Sequence, residues 1–326
     1  MNSSGPALRW GLVGLGRHVT EEIAPPAIQC SATAQIVACA SRDISAAGAF
    51  AERFAIPRAY DTFEELVHDQ DVDAVFVGTP NALHAVVVLA AARAGKHILC
   101  EKPLALTVED GRAMVAACRA AGVQLRVGLH LRFERSLQRV AEILRSGAIG
   151  TPRAISMERT APPGERVPWR ADPAQGGSIL FDVGVHLLDL IPRLLVTEIA
   201  AISTLATPEP PTGHSADTIT MLLRLRNGVQ ATLRVSRETP FAGNDLAVVG
   251  TAGMLRTGPL RWVNEHRITV TTATGTSDEI LPATELYGAE IDGFAADIAD
   301  GGERLATGED GVHLITLTKA VRRALR

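Results

Sequence analysis

Lys102 stands between Glu101 and Pro103 at the end of the apolar run His97-Ile-Leu-Cys100. An ammonium delivered there by a parallel strand could hydrogen-bond a substrate oxygen and stabilise negative charge developing on it. Glu101 could orient that lysine or contact a cofactor. Pro103 lacks an N–H and restricts the backbone of Lys102, so the strand cannot continue. The competing reading is a strand reaching solvent on a surface ion pair, which is common and contributes little. A second group lies in GGSILFDVGVHLLDL, residues 176–190, where Asp182, His186 and Asp189 fall at i, i+4 and i+7. One face of an α-helix would carry all three. A carboxylate beside an imidazole fixes the ring's orientation and raises its basicity, as proton transfer requires. A satisfied polar face at a domain interface would have the same spacing. None of the nine histidines stands in a zinc-type motif, so no metal site is expected.

A third group could bind a dinucleotide. In GLVGLGRHV, residues 11–19, Gly14-Leu15-Gly16 offers a tight turn whose N–H groups, with those of Arg17 and His18, can approach a pyrophosphate. The third glycine of that fingerprint would fall at position 19, which is Val19, and an ordinary strand-to-helix turn is the alternative. The second strand ends in ACASRD, where an NAD site usually places an acidic side chain. Ser41 and Arg42 instead offer donors to a 2′-phosphate, while Asp43 reads as a helix cap. The chemistry favours NADP and leaves NAD open. Thr79, Pro80, Asn81 and His84 in VGTPNALH leave the sheet on the same edge and are further candidates. Asn81 is most simply a helix cap.

The elements that would position these groups follow from hydrophobic pattern. Leu8–Val13, Ile36–Ala40, Ala74–Val77, Ile98–Cys100 and Leu125–Val127 are short continuous apolar runs, as buried parallel strands are. Between them lie helices punctuated by Asp43, by Thr62 with Glu65, by Asn81 and Gly95, and by Thr107 and Gly122. This βαβα series predicts a doubly wound sheet with helices on both faces. After about residue 128 the pattern changes. Arg153–Arg159, Thr218–Leu225, Gln230–Ser236, Leu246–Gly250 and His266–Thr271 read as strands of a large, mostly antiparallel open sheet, with a hairpin at Asn227-Gly228. Two helices near Ala289–Ala299 and Gly311–Leu325 end the chain. The expected domains are 1–127, binding a dinucleotide, and 128–326, binding substrate and assembling copies, with the last helix packing back on the first.

Bulk properties narrow the function. The 326 residues suffice for two domains, and 32 basic against 36 acidic residues give a net charge of −4. That balance argues against nucleic acid as a partner. The start carries no signal-like segment and no apolar run has membrane-spanning length, so a cytoplasmic protein without a membrane partner is expected. The four cysteines, Cys30, Cys39, Cys100 and Cys118, show no paired spacing. An open sheet needs a cover for one face, so a homodimer or homotetramer is expected.

GLVGLGRH, GTPNALH, CEKPLALT, GLHLRF, WRADPAQGGSILFDVGVHLLDL and GTAGML, spread from residue 8 to about residue 255, together resemble the Gfo/Idh/MocA oxidoreductase family. The resemblance implies a Rossmann domain followed by an α/β domain with an open sheet, a nicotinamide cofactor, and a catalytic set at Lys102, Asp182 and His186. It also implies pocket roles for Arg132, Trp169 and Arg170. Two positions depart from the pattern, Val19 for a glycine and Ser178 where a glycine is frequent. The resulting expectation is an NAD(P)-dependent dehydrogenase or reductase acting on a CH–OH group of a sugar, polyol or related cyclic small molecule. A nicotinamide-binding regulator without turnover and an NAD-dependent glycosidase of the same fold are the alternatives.

Overall fold

The computed structural model describes residues 7–16, 24–162, 169, 172–207, 218–240, 243–260 and 263–325. The chain divides into two compact units, 1–130 with 285–315, and 131–284 with 316–326.

In the first unit β1 (Leu8–Val13), β2 (Ala34–Ala40), β3 (Arg58–Tyr60), β4 (Ala74–Val77), β5 (His97–Glu101) and β6 (Leu125–Gly128) form a parallel sheet in the order β6-β5-β4-β1-β2-β3. A short strand, Ala306–Thr307, pairs antiparallel to β6. Every residue of β4 is buried, the state that a parallel strand covered on both faces must reach. The order reverses at β1, whose neighbours are β2 and β4, and this switch point is where such sheets bind ligands. Val13 lies opposite both Ala40 and Val77, Val77 opposite Cys100, and Glu101 opposite Gly128. The strands therefore end together, and Gly14, Ser41, Thr79 and Lys102 leave along one edge.

Local chemistry sets the helix boundaries. Asp43 accepts the N–H groups of Ser45 and Ala46, Thr62 accepts that of Glu65, and Thr107 accepts that of Asp110. Gly122 closes its helix with φ +67°, a conformation costly for any residue with a Cβ. Asn81 departs from expectation. It opens a short 3₁₀ turn, Asn81–Leu83, and the helix proper, His84–Arg93, starts three residues later without a side-chain cap. Helix Leu286–Asp300 supplies Phe294 to pack on Trp10, ring centroids 5.1 Å apart, with both rings fully buried.

In the second unit β7 (Pro152–Thr160), β8 (Ile199–Thr207), β9 (Thr218–Leu225), β10 (Gln230–Ser236), β11 (Leu246–Gly250), β12 (Gly253–Thr257), β13 (Glu265–Thr272) and β14 (Gly275–Pro282) form one sheet. Its order is β14-β13-β12-β11-β7-β10-β9-β8, and every neighbouring pair except β7 with β10 is antiparallel. The expected mostly antiparallel sheet is thus present, with β8, β12 and β14 added to the anticipated strands. The turn at Asn227-Gly228 joins β9 to β10, with Gly228 at φ +85° and Asn227 Oδ1 accepting the Val229 N–H. Helices Arg135–Arg145 and Val185–Leu195 pack on each other and reach β13 and β7 respectively. The side chains of Ala231, Leu233 and Val235 alternate inward along β10. Leu205, Leu222, Val249 and Ile280 are 66, 49, 46 and 49% exposed, each on a different strand of this sheet.

Candidate active site

Gly14 ends β1 at φ +92°, and a Cβ there would lie 2.7 Å from the backbone of Gly78 and Thr79. Only glycine lets the first and fourth strand ends approach so closely. A Cβ on Gly16 would meet nothing within 4 Å among the described residues, and Leu15 is half-buried. Thr79 Oγ1 is buried with no hydrogen-bond partner among the described residues. Ser41 is half-buried and Arg42 exposed at the end of β2, while Asp43 is committed to its cap. A glycine turn at Gly14 and Gly16, a Thr79 hydroxyl without a partner among the described residues and an exposed guanidinium at Arg42 fit a phosphate-bearing dinucleotide along this edge. Arg17, His18 and Val19 lie outside the described residues.

The next strand end carries Glu101 and Lys102. Glu101 is only 6% exposed and its Oε2 accepts the backbone N–H of Lys102 at 3.1 Å. A Cβ on Gly128 would come within 3.4 Å of the Glu101 carboxyl, so the small residue leaves room for it. The carboxylate is therefore inside the strand ends, which rules out a solvent-exposed ion pair. Lys102 is half-buried, and its peptide bond to Pro103 is cis. His84, expected beside the cofactor, is fully buried instead, with Nδ1 2.9 Å from Pro103 O and Nε2 3.1 Å from Thr79 O. It joins the two loops from behind. Asn81 is buried and Pro80 half-buried in the same turn.

Two residues on the helix Leu286–Asp300 escaped the sequence reading. Glu290 on helix Leu286–Asp300 is 1% exposed, and burial, aided by the Glu101 charge, pushes its carboxyl well above the usual range. Tyr287 on the same helix packs its ring on His130, centroids 4.7 Å apart. The sequence of this helix, LYGAEIDGFAADIAD, does not set Glu290 apart from its other acidic residues, Asp292, Asp297 and Asp300.

In the second unit Asp182 and His186 do not share one continuous α-helix. Leu180–Gly184 is a π-helical turn, and the α-helix begins at Val185. Such widened turns are rare and frequently functional. Ser178, at the position where a glycine was expected, starts the turn: its Oγ accepts the Phe181 N–H and its carbonyl accepts the Asp182 N–H. His186 is 3% exposed, and Asp182 is ion-paired with Arg237 just beyond β10. Arg237 has no motif around it and was missed. Asp189 and Arg132 form a bidentate pair in which both side chains are 6% exposed, with Nε 2.8 Å from Oδ2. Arg132, expected to shape a pocket, thereby ties the chain just before the helix Arg135–Arg145 to the helix Val185–Leu195. Trp169 is half-buried and its carbonyl accepts the Asp172 N–H, whereas Arg170 lies outside the described residues. Among the described residues no cluster of histidine, cysteine, aspartate or glutamate could hold a metal ion, and no helix is long and apolar enough to cross a membrane.

Comparison with known proteins adds three findings. Residues 8–129 match the family described as an oxidoreductase family with an NAD-binding Rossmann fold, and residues 137–256 match the GFO/IDH/MocA C-terminal domain. The chain is 34% identical to a 1,5-anhydro-D-fructose reductase from Ensifer adhaerens over 97% of this chain and 96% of that one. Among solved structures, an aldose–aldose oxidoreductase from Caulobacter crescentus, complexed with glycerol, has a TM-score of 0.89 at 28% identity and 98% coverage of both chains. A 3-ketoreductase from Actinomadura kijaniata, in complex with NADP and TDP-benzene, has a TM-score of 0.87 at 26% identity and 98% coverage of both.

Proposed function

The chain belongs to the Gfo/Idh/MocA oxidoreductase family, NAD(P)-dependent enzymes of CH–OH groups, and from that premise we propose that it interconverts a hydroxyl and a carbonyl on a sugar with NADP as the preferred cofactor. The observation that carries this is the shared edge of the first sheet, where the Gly14 turn, Thr79 and Lys102 leave neighbouring strands together. The nicotinamide supplies or accepts the hydride. Gly14, Leu15, Gly16 and Thr79 would hold the dinucleotide, and Ser41 with Arg42 would meet a 2′-phosphate. Preference for NADP is supported by the exposed guanidinium at the end of β2 and by the NADP bound in the 3-ketoreductase. A sugar substrate is supported by the names of the reductase and the aldose oxidoreductase.

Three side chains are assigned to the reaction. Lys102 hydrogen-bonds the reacting oxygen and stabilises its alkoxide character. His186 exchanges a proton with that oxygen, and Asp182 orients the substrate or the imidazole. The two units serve as the dinucleotide and substrate domains. Copies associate through the sheet face that bears Leu205, Leu222, Val249 and Ile280. A cytoplasmic location is supported by four free thiols, three of them buried. The reading is tested by screening sugars, polyols and their keto forms with both cofactors, following nicotinamide absorbance. Turnover of a sugar or polyol with NADP(H) upholds it; activity confined to acyclic acids or amines overturns the substrate class.

A further inference from the structure

Asp182 sits on the π-helical turn Leu180–Gly184, which packs against β10, and Arg237 follows β10 directly. The two side chains form an ion pair and are 18% and 27% exposed. The strand end that carries Arg237 is itself fixed. Ser236 is 1% exposed, its Oγ lies 2.6 Å from Thr218 Oγ1 and accepts the Glu238 N–H, and its carbonyl accepts the Ala161 N–H. A guanidinium on so rigid a base favours the ionised carboxylate and selects one direction for it.

Building on the assignment of Asp182 to the reaction, we propose that Arg237 is its positioning residue. The guanidinium keeps the Asp182 carboxylate charged and aimed, so that Asp182 accepts a hydrogen bond from a substrate hydroxyl and never serves as the acid. Proton exchange is then left to His186. Among the described residues, the other charged groups on the elements around this turn include Arg234 on β10, paired with Glu158 of β7, Glu238 beside Arg237, Arg159 on β7 in register with Val235, and His186, Asp189 and Arg193 on the helix that follows. Asp189 is held by Arg132, and Glu238 is exposed. Arg237 is a cation that the fold pairs directly with Asp182.

The test uses full-length protein carrying ¹³C-labelled aspartate carboxyls. The Asp182 resonance is assigned by its loss in Asp182→Asn and titrated in wild type, Arg237→Gln and Arg237→Lys. Glutamine removes the charge at similar size, and lysine restores it without the planar fork. The Asp182 midpoint is expected to move to higher pH in Arg237→Gln and to stay near wild type in Arg237→Lys. Steady-state reduction of 1,5-anhydro-D-fructose by NADPH provides the second readout, with kcat/KM expected to fall by up to about 10²-fold in Arg237→Gln. An unchanged midpoint in Arg237→Gln overturns the proposal, whatever the kinetics. Normal turnover in Asp182→Asn would instead overturn the assignment of Asp182 on which it rests, while leaving the titration interpretable.

Discussion

His84 Nδ1 lies 2.9 Å from the carbonyl oxygen of Pro103, so a fully buried imidazole is tied to the residue after Lys102. Its other nitrogen faces Thr79 O, so His84 braces two loops of the cofactor edge by packing between them, its single N–H when neutral donating to one of the two carbonyls. Burial pulls the imidazole below its ordinary value of 6.5, against the opposing pull of the two carbonyls and Glu101. The folded protein therefore binds fewer protons at this site than the unfolded chain, and stability is lost as pH falls below about 6.5 toward the depressed folded value. His84→Ala should remove that component and cost about 1–3 kcal/mol, because a buried carbonyl loses its donor. Urea unfolding at pH 7.5 and 5.5 checks this: wild type and variant should converge at the lower pH, and parallel losses would refute the brace.

Arg42 should set cofactor preference. Arg42→Ala removes a charge-assisted contact to the 2′-phosphate and should weaken NADPH binding by about 1.5–3 kcal/mol, with NADH little affected. Fluorescence titration with both cofactors reads the difference. Equal affinities in the wild type, unmoved by the substitution, would sink the NADP preference.

Asp297 anchors the helix behind the site. Burial works to raise its carboxyl, but the N–H groups of Arg304 and Leu305 and the guanidinia of Arg126 and Arg304 outweigh burial and hold it below the ordinary 3.8. Arg126 Nε is 3.0 Å away, and the two side chains are 8% and 0% exposed. Asp297→Asn leaves a buried guanidinium without its counter-charge and should cost about 3–5 kcal/mol near neutrality. The wild-type advantage is fully present above pH 3.8 and is lost as pH falls through the depressed value, so the penalty should shrink in acid. Denaturant melts of both proteins at pH 7 and pH 3 measure it; a penalty independent of pH would contradict the ion-pair account.

The exposed apolar residues of the second sheet should be covered in solution. Leu205 and Leu222 belong to the adjacent strands β8 and β9. Light scattering should show a dimer or tetramer at micromolar concentration, and Leu205→Glu with Leu222→Glu should shift it toward monomer. A wild-type monomer would remove this face as an interface.

Five strands of the first sheet were legible because each is built on a short apolar run, whereas β3 (RAY) and Ala306–Thr307 have none; the register then brings Gly14, Thr79 and Lys102 to one edge. Caps such as Asp43 and Thr107 were legible because their chemistry is local. What escaped depends on residues far apart in the chain. Arg237 meets Asp182 across 55 positions, and Glu290 comes near Glu101 only through the fold. β8, β12 and β14 were not among the anticipated strands because they are short, carry apolar outward residues or blur the alternation, as in GMLRT, IAAISTLAT and GTSDEILP. The helical spacing of Asp182, His186 and Asp189 misled in one respect. It assumed a regular α-helix, where the chain inserts a π-turn and gives each carboxylate its own arginine.

The central claim is that Lys102 acts on charge that develops only during hydride transfer. Steady-state kinetics of Lys102→Met on the best substrate, with cofactor affinity measured separately, tests it most directly. The expected result is a loss of roughly 10²–10³ in kcat, equivalent to about 2.7–4 kcal/mol, with the fold and cofactor binding retained. Near-normal kcat in that variant would contradict the assignment and return the lysine to a structural role at a strand end.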